Sequence, residues 1–288
     1  MTIRWHEDDH GTGITQMLEL EPVREVQTPF QTIELFEHAT FGRVLVLDGT
    51  VQLSQADDAV YHELAVHVPL LGRQRDSASV LIIGGGDGGI LREALRHPFV
   101  RRVVMVEIDA EVIAVSSAEV GIQGDYADPR VELVTGDAAE WIERIAEPGG
   151  ERFELIVIDA TDSTSPSKVL WTDLFYSRIA ACLAENGAVV DSDILIPGKA
   201  GPTMSRDPCE VGIFELIRTR RHFPSTECYY TKSPLYPGGY FVFFLYTKDG
   251  VSHAEPFRAH TGVHYNPELH RGAFALPAWW RRFLDGLR

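Results

Sequence analysis

The sequence predicts an α/β protein in which a doubly wound parallel sheet follows a small antiparallel β-domain. Three observations carry this. From residue 80 onward apolar strands alternate with helical segments, the mark of parallel strands joined by crossover helices. The first of those strands, Val80-Leu81-Ile82-Ile83, runs into Gly84-Gly85-Gly86-Asp87-Gly88-Gly89, a turn that lets a ligand approach bare backbone. Residues 1 to about 55 carry instead β-rich runs separated by turn signals. The expected division is a β-domain over 1–55 and a larger α/β domain over 56–288.

The elements follow in order. Gln31–Glu37 and Arg43–Leu47 are β-rich, and Asp48-Gly49 is a hairpin signal before Thr50–Leu53. Apolar spacing from Tyr61 to about Leu71 suits a helix. Parallel strands are expected at Val80–Ile83, Arg102–Glu107, Val131–Thr135, Leu155–Asp159 and Ala188–Ser192, with helices beginning near Gly89, Ala110, Ala138 and Thr172. The stretch Ile196–Pro202 reads as a loop, and a helix is expected near Glu210–His222. Thr226–Thr231 and Tyr240–Tyr246 suit an antiparallel hairpin at the sheet edge.

Composition narrows the function classes. A chain of 288 residues buries a sizeable core, and 44% hydrophobic with 24% charged residues is ordinary for a globular protein. A net charge of −16 disfavours nucleic acid as a partner and suits a cationic substrate. Met1–His10 lacks the apolar core of a signal peptide, and no apolar run is long enough to span a membrane. A cytoplasmic protein without a membrane partner is therefore expected. Cys182, Cys209 and Cys228 are odd in number and far apart, which suggests neither a disulfide framework nor a zinc site. Neither an H-E-x-x-H motif nor a Walker loop occurs, so no metal is expected. The irregularly spaced His253, His260 and His264 read as surface residues.

Asp87 is the unusual residue of the glycine turn. A loop that holds pyrophosphate on backbone N–H groups gains nothing from a central carboxylate, whereas a loop that holds a cation does. In open α/β sheets, ligands bind outside the carboxyl ends of the strands, and the acids gather there. Asp87 follows the first strand, Glu107 and Asp109 end the second, and Asp137 follows the third; Asp159 and Asp162 follow the fourth, and Asp191 and Asp193 end the fifth. Any one alone reads as a helix cap or a solvated acid. Together in one crevice they point to a polycationic ligand, because clustered carboxylates are costly without cations.

Two cofactor readings compete for the turn. Gly84, Gly86 and Gly89 satisfy G-x-G-x-x-G, and Glu107 lies at the right distance to hold ribose hydroxyls, as a dinucleotide enzyme requires. A sulfonium nucleoside of the S-adenosylmethionine type needs the same ribose acid but no phosphate site, and Asp87 and Gly136-Asp137-Ala138 favour it. In Asp159-Ala160-Thr161-Asp162, two carboxylates on one loop could hold an ammonium and accept its proton.

These segments resemble the polyamine aminopropyltransferases, closest to the bacterial spermidine synthases. The matching stretches are Phe41–Gly49, Tyr61-His62-Glu63, Gly84–Gly88, Val106–Asp109, Gly136-Asp137, Asp159–Asp162, Tyr265-Asn266-Pro267 and Ala273–Pro277, in order over nearly the whole chain. The resemblance implies a Rossmann-like methyltransferase-type doubly wound sheet with a small N-terminal antiparallel β-domain. It implies transfer of the aminopropyl group of decarboxylated S-adenosylmethionine to a diamine such as putrescine, releasing methylthioadenosine, with no further cofactor. It also implies a homodimer or homotetramer. Carried over by position, Gln31, Glu107, Asp137, Ala138 and Pro166 line the nucleoside, beside Gly84, Gly85, Gly86 and Asp109 of the matching motifs. His62, Asp87 and Asp162 hold amines, and Asp159 is the catalytic acid/base, aided by Tyr61 and Tyr236.

The chain departs from the family pattern at Ser163-Thr164-Ser165 and Ser167-Lys168, and at Asp191, where a glutamine is common. Asp191 is therefore expected to add a carboxylate to the acceptor site. The alternatives left open are a longer amine acceptor, an S-adenosylmethionine methyltransferase on the same scaffold, and a polyamine-binding protein without turnover.

Overall fold

The computed structural model describes residues 4–9, 15–160, 170, 172–198, 201–204, 221–235 and 240–286. The first five strands, β1 (Arg4–Asp9), β2 (Thr15–Gln27), β3 (Thr32–His38), β4 (Gly42–Leu47) and β5 (Thr50–Ser54), form an antiparallel meander in that order. The Asp48-Gly49 hairpin is present, with φ +49° and +80°, the left-handed pair that a two-residue turn of this type needs. Alternation along β4 gives the sheet two apolar faces. Leu45 and Leu47, with Ile33 and Leu35, pack on Val112, Val115, Val120 and Ile122, while Val44 and Val46 face Phe36, Leu20 and Leu235.

Helix α1 (Asp58–Leu71) leads from this sheet into the second unit. It starts three residues before the apolar spacing suggested, since Asp58 and Ala59 already take helical geometry. There follow β6 (Ala78–Gly84), α2 (Gly89–Leu95), β7 (Val100–Glu107), α3 (Ala110–Val115) with a π-turn over Ser116–Val120, β8 (Val131–Thr135), α4 (Ala138–Ile145), β9 (Phe153–Asp159) and α5 (Asp173–Cys182). The chain continues through β10 (Leu183–Gly198), β11 (Gly201–Met204), β12 (Ser225–Thr231) and β13 (Tyr240–Thr247), then helices Pro267–Ala273 and Ala278–Gly286. Of the helix expected near Glu210–His222 only Arg221 and His222 lie within the described residues, in a turn.

The strands order as β12-β13-β10-β9-β6-β7-β8, with β11 beside β10. The four pairs from β10 to β8 are parallel, and β12 and β13 form the expected antiparallel hairpin, β13 lying between β12 and β10. Successive strand residues bury into opposite layers. Leu81, Ile83, Ile156 and Ile158 pack with Tyr176 and Trp141, whereas Val80, Ile82, Leu155 and Val157 pack with Leu64, Leu91 and Phe243. From β6 the chain winds one way to β7 and β8 and then crosses back to β9, so the strand order reverses between β6 and β9. Ligand crevices of such sheets open at this point.

The late histidines depart from the surface reading. His253 is fully buried, its carbonyl accepting a 2.7 Å hydrogen bond from a ring nitrogen of His270, and His260 packs against the rings of His67 and His97. The segment is polar in sequence, but it folds back over α1 because Glu63 accepts the backbone N–H groups of Val263, His264 and Tyr265 at 2.7, 2.9 and 2.6 Å. None of the described helices is long and apolar enough to cross a membrane.

Candidate active site

The crevice opens where β6 and β9 end together. Gly84 pairs with Asp159 across the two strands, and the Gly85 N–H donates to the Asp159 carbonyl at 2.9 Å. At φ +79° a Cβ on Gly84 would lie 2.1 Å from that carbonyl oxygen, so only glycine lets the turn meet the neighbouring strand this closely. The turn then leads into α2. The Asp87 carboxylate accepts the Gly89 N–H at 2.6 Å and so occupies the positive end of that helix.

Asp159 and Asp87 face each other across this turn, with His62 of α1 as the third member. One polar atom from each lies within 4.8 Å of the other two. Burial, and next the negative charge of Asp87, push the Asp159 carboxyl up to about 6, against the opposing pull of His62 and Tyr61. Its Oδ1 accepts the Tyr61 hydroxyl at 2.8 Å; its buried Oδ2 has no hydrogen-bond partner among the described residues. The Tyr61 ring is stacked on Phe243 and meets Phe241 edge-on, with centroids 5.6 and 5.2 Å away. Burial, with the Asp159 charge beside it, holds the Tyr61 phenol well above its ordinary value, so it stays a donor.

His62 does not present a ring nitrogen for an amine. Nε2 lies 3.3 Å from Asp87 Oδ1, and Nδ1 lies 3.4 Å from Asp58 Oδ2. Burial favours the neutral ring, but Asp87, Asp58 and Asp159 outweigh it and raise His62 to about 10. Carboxylates at both nitrogens therefore favour the imidazolium form of the ring. Asp87 shows the converse: burial pushes it up, yet His62, the Gly89 N–H and Arg92 hold it below the usual carboxylate range.

The second strand end is equally built. Glu107 Oε1 accepts the Asp109 N–H at 2.8 Å, and burial first, with the Asp109 and Asp159 charges, lifts its carboxyl to about 7. A Cβ on Gly86 would come within 3.0 Å of Glu107 Oε2, so the glycine turn and this acid line one wall. Asp109 is engaged with protein at both oxygens. Oδ1 accepts the Glu111 N–H at the start of α3, and Oδ2 accepts the Thr28 hydroxyl at 2.7 Å and the Gln31 amide at 3.1 Å. Its place is that of an anchor, which draws Gln31 from the N-terminal sheet to the end of β7. Asp137 caps α4 by accepting the Ala139 N–H at 2.7 Å, with Ala138 buried behind it.

Asp191 is not part of this gathering, contrary to the expectation of an added acceptor carboxylate. It is buried on the opposite face of β10, where the hydroxyls of Tyr176 and Tyr246 donate to its two oxygens at 3.2 Å each. Burial raises it to about 7 against those two bonds. Its neighbour Ser192 takes the face toward Tyr61. Asp162, Pro166 and Tyr236 lie outside the described residues. Sequence reasoning missed Asp58 and Arg92, whose Nη2 lies 2.7 Å from Asp58 Oδ2. The four-residue spacing of Asp58 and His62 on one helix was the available signal.

Comparison with known proteins now bears on this geometry. The profile described as the spermine/spermidine synthase domain matches residues 58–255. The chain belongs to the spermine/spermidine synthase family. Residues 5–55 match a second profile, described as the spermidine synthase tetramerisation domain. The polyamine aminopropyltransferase of Thermoanaerobacter sp. (strain X514) is 34% identical over 289 residues, covering 98% of each chain. Polyamine aminopropyltransferase 1 of Pseudomonas aeruginosa is 36% identical over 269 residues, 89% of each. Among solved structures, spermidine synthase from Thermotoga maritima matches at a TM-score of 0.82 and 28% identity, covering 99% of this chain and 95% of that one. A spermidine synthase in complex with the transition-state analogue AdoDATO matches at 0.84 and 28% identity, over 98% and 95%. As a member of this family the chain is an enzyme, a polyamine aminopropyltransferase.

Proposed function

We propose that the enzyme moves the aminopropyl group of decarboxylated S-adenosylmethionine to putrescine, forming spermidine and methylthioadenosine. The observation that carries this reading is the facing pair Asp87 and Asp159, of which Asp159 is raised to about 6 and hydrogen-bonded to Tyr61. Two carboxylates so close are stable together only beside positive charge; His62 supplies part of it at Asp87, and both substrates, as aliphatic ammonium ions, would supply more at the open side of the pair. The carboxylate of ordinary S-adenosylmethionine would meet Asp87 head-on, which disfavours methyl transfer.

In this reading the donor nucleoside lies along the glycine turn. Glu107 accepts the ribose hydroxyls, and Gln31, Asp137 and Ala138 surround the base. Asp87 takes the ammonium of the aminopropyl chain. The acceptor ammonium gives one proton to Asp159; its nitrogen lone pair then attacks the carbon bound to sulfur. The C–S bond breaks with its electron pair going to sulfur, which leaves as a neutral thioether. Moving a proton from an amine of pKa about 10.4 to an acid near 6 costs about 6 kcal/mol. In-line placement of two reactants offsets about 7–11 kcal/mol, so positioning outweighs that cost. By family resemblance Asp162 and Tyr236 complete the acceptor side and Pro166 the nucleoside side. The reading includes assembly into a tetramer through residues 5–55 and a cytoplasmic site of action, which free thiols at Cys182 and Cys228 suit.

The test is incubation of the purified protein with decarboxylated S-adenosylmethionine and a panel of diamines and longer polyamines, read by mass spectrometry. Spermidine and methylthioadenosine in equal amounts from putrescine are expected. A product from a longer amine alone would replace putrescine as the acceptor, and no transfer to any amine would overturn the reading.

A further inference from the structure

Behind Asp87 a row of charges leads away from the crevice. The His62 ring stands between Asp87 and Asp58, and Arg92 of α2 closes the row with Nη2 2.7 Å from the same Asp58 oxygen. Arg92 is itself fixed, donating to the Ile122 carbonyl and to Glu93 Oε1 at 2.6 Å each. The ring is seated without slack. A Cβ on Gly89 would lie 2.3 Å from it, and Tyr61 meets it edge-on with centroids 5.2 Å apart. Charges therefore alternate from Arg92 through Asp58 and His62 to Asp87, and the last one faces the crevice.

We propose that Asp58 is a positioning residue for aminopropyl transfer, holding the His62 ring so that Nε2–H points at Asp87 and keeps that carboxylate fixed for the donor ammonium. This rests on the transfer reading above. A neutral imidazole has one N–H and one lone pair, and a lone pair turned toward Asp87 would repel it. With an anion at each nitrogen, both must carry a proton and the ring has one orientation. The groups facing His62 are Asp58 and Tyr61 from α1, Asp87 from the glycine turn and Asp159 from β9, with Arg92 acting through Asp58. Loss of the Asp58 charge removes one of the ring's two flanking anions. The ring then gives up its proton more readily, and Asp159 loses the neighbouring positive charge that opposes its rise.

The experiment uses the full chain, with Asp58→Asn as the main variant, Asp58→Ser as a second if the first does not fold, and Asp58→Glu as the conservative rescue. Ring signals of His62 are followed by heteronuclear NMR against pH, and the donor KM is profiled over the same range. In the unsubstituted protein His62 stays protonated through about pH 9. In Asp58→Asn its midpoint falls by about one to three units. Above that lowered midpoint the ring no longer holds Asp87, so the donor KM rises on the order of tenfold there, and Asp58→Glu restores both the midpoint and the KM. An unmoved His62 midpoint in Asp58→Asn would overturn the proposal. The His62 titration needs no turnover. Absence of product from the unsubstituted protein therefore sinks the transfer reading, while an unmoved ring sinks this one.

Discussion

At the scale of single residues, three aspartates at or after expected strand ends have been given different tasks by burial and neighbours. Asp87 is held ionised by His62 and a helix N-terminus, Asp159 is lifted to about 6, and Asp191 is sealed between two tyrosines near 7. Asp191 is the instructive case. Asp191 and Ser192 are consecutive on β10 and point to opposite faces, and the chain alone does not say which face carries the crevice. A folded-state value of about 7 above an ordinary carboxylate near 3.8 means that the Asp191 contribution is favourable in acid and is lost as pH rises toward 7. Asp191→Asn removes that loss. The variant should be more stable than the parent at pH 8 by on the order of 2–4 kcal/mol, and the gain should shrink as pH falls and vanish only near pH 4. Thermal unfolding at the two pH values checks this; a variant less stable than the parent at both would contradict it, and a changed amine preference would return Asp191 to the acceptor site.

At the scale of elements, much of the fold was legible because backbone rules acted locally. Asp48-Gly49 had to turn left-handed, the Val80–Ile83 run had to be buried, and Asp137 and Asp109 sat where helices begin. Pairings between distant elements were not legible, since no local pattern encodes them. Arg92 on Asp58, Gln31 on Asp109 and the late histidines on α1 all depend on packing that only the folded chain reveals. Asp57 is another such joint. Its carboxylate accepts the hydroxyls of Ser54 and Ser233 at 2.6 Å each and the Leu235 N–H at 3.3 Å. It thereby ties the end of β5 and the start of α1 to the segment that leads toward Tyr236. Asp57→Ala would leave the buried Ser54 and Ser233 hydroxyls without this acceptor, while the Leu235 N–H keeps Ser233 Oγ at 3.2 Å, costing about 2–3 kcal/mol. It should also raise KM for the amine more than for the donor. Equal changes in both KM values would show that this joint does not serve the acceptor side.

At the scale of the whole molecule, the N-terminal sheet packs beside the strand ends at which the crevice of the larger sheet opens. The N-terminal meander packs its Ile33 and Leu45 face on α3 and the adjoining π-turn, and this contact carries Gln31 to the end of β7. The eight-stranded sheet reverses its order between β6 and β9, and that reversal brings Gly84, Asp87, Asp159 and α1 to one place. In the proposed reaction Asp159 takes the amine proton beside Asp87. The most direct test is the pH dependence of methylthioadenosine release in the unsubstituted enzyme and in Asp159→Asn. The unsubstituted rate should fall below a midpoint near 6, because Asp159 must be ionised to accept the proton. Asp159→Asn should be slower by about 10²–10⁴-fold and lack that acid limb. A variant that keeps both the parent's rate and its acid limb would contradict the account.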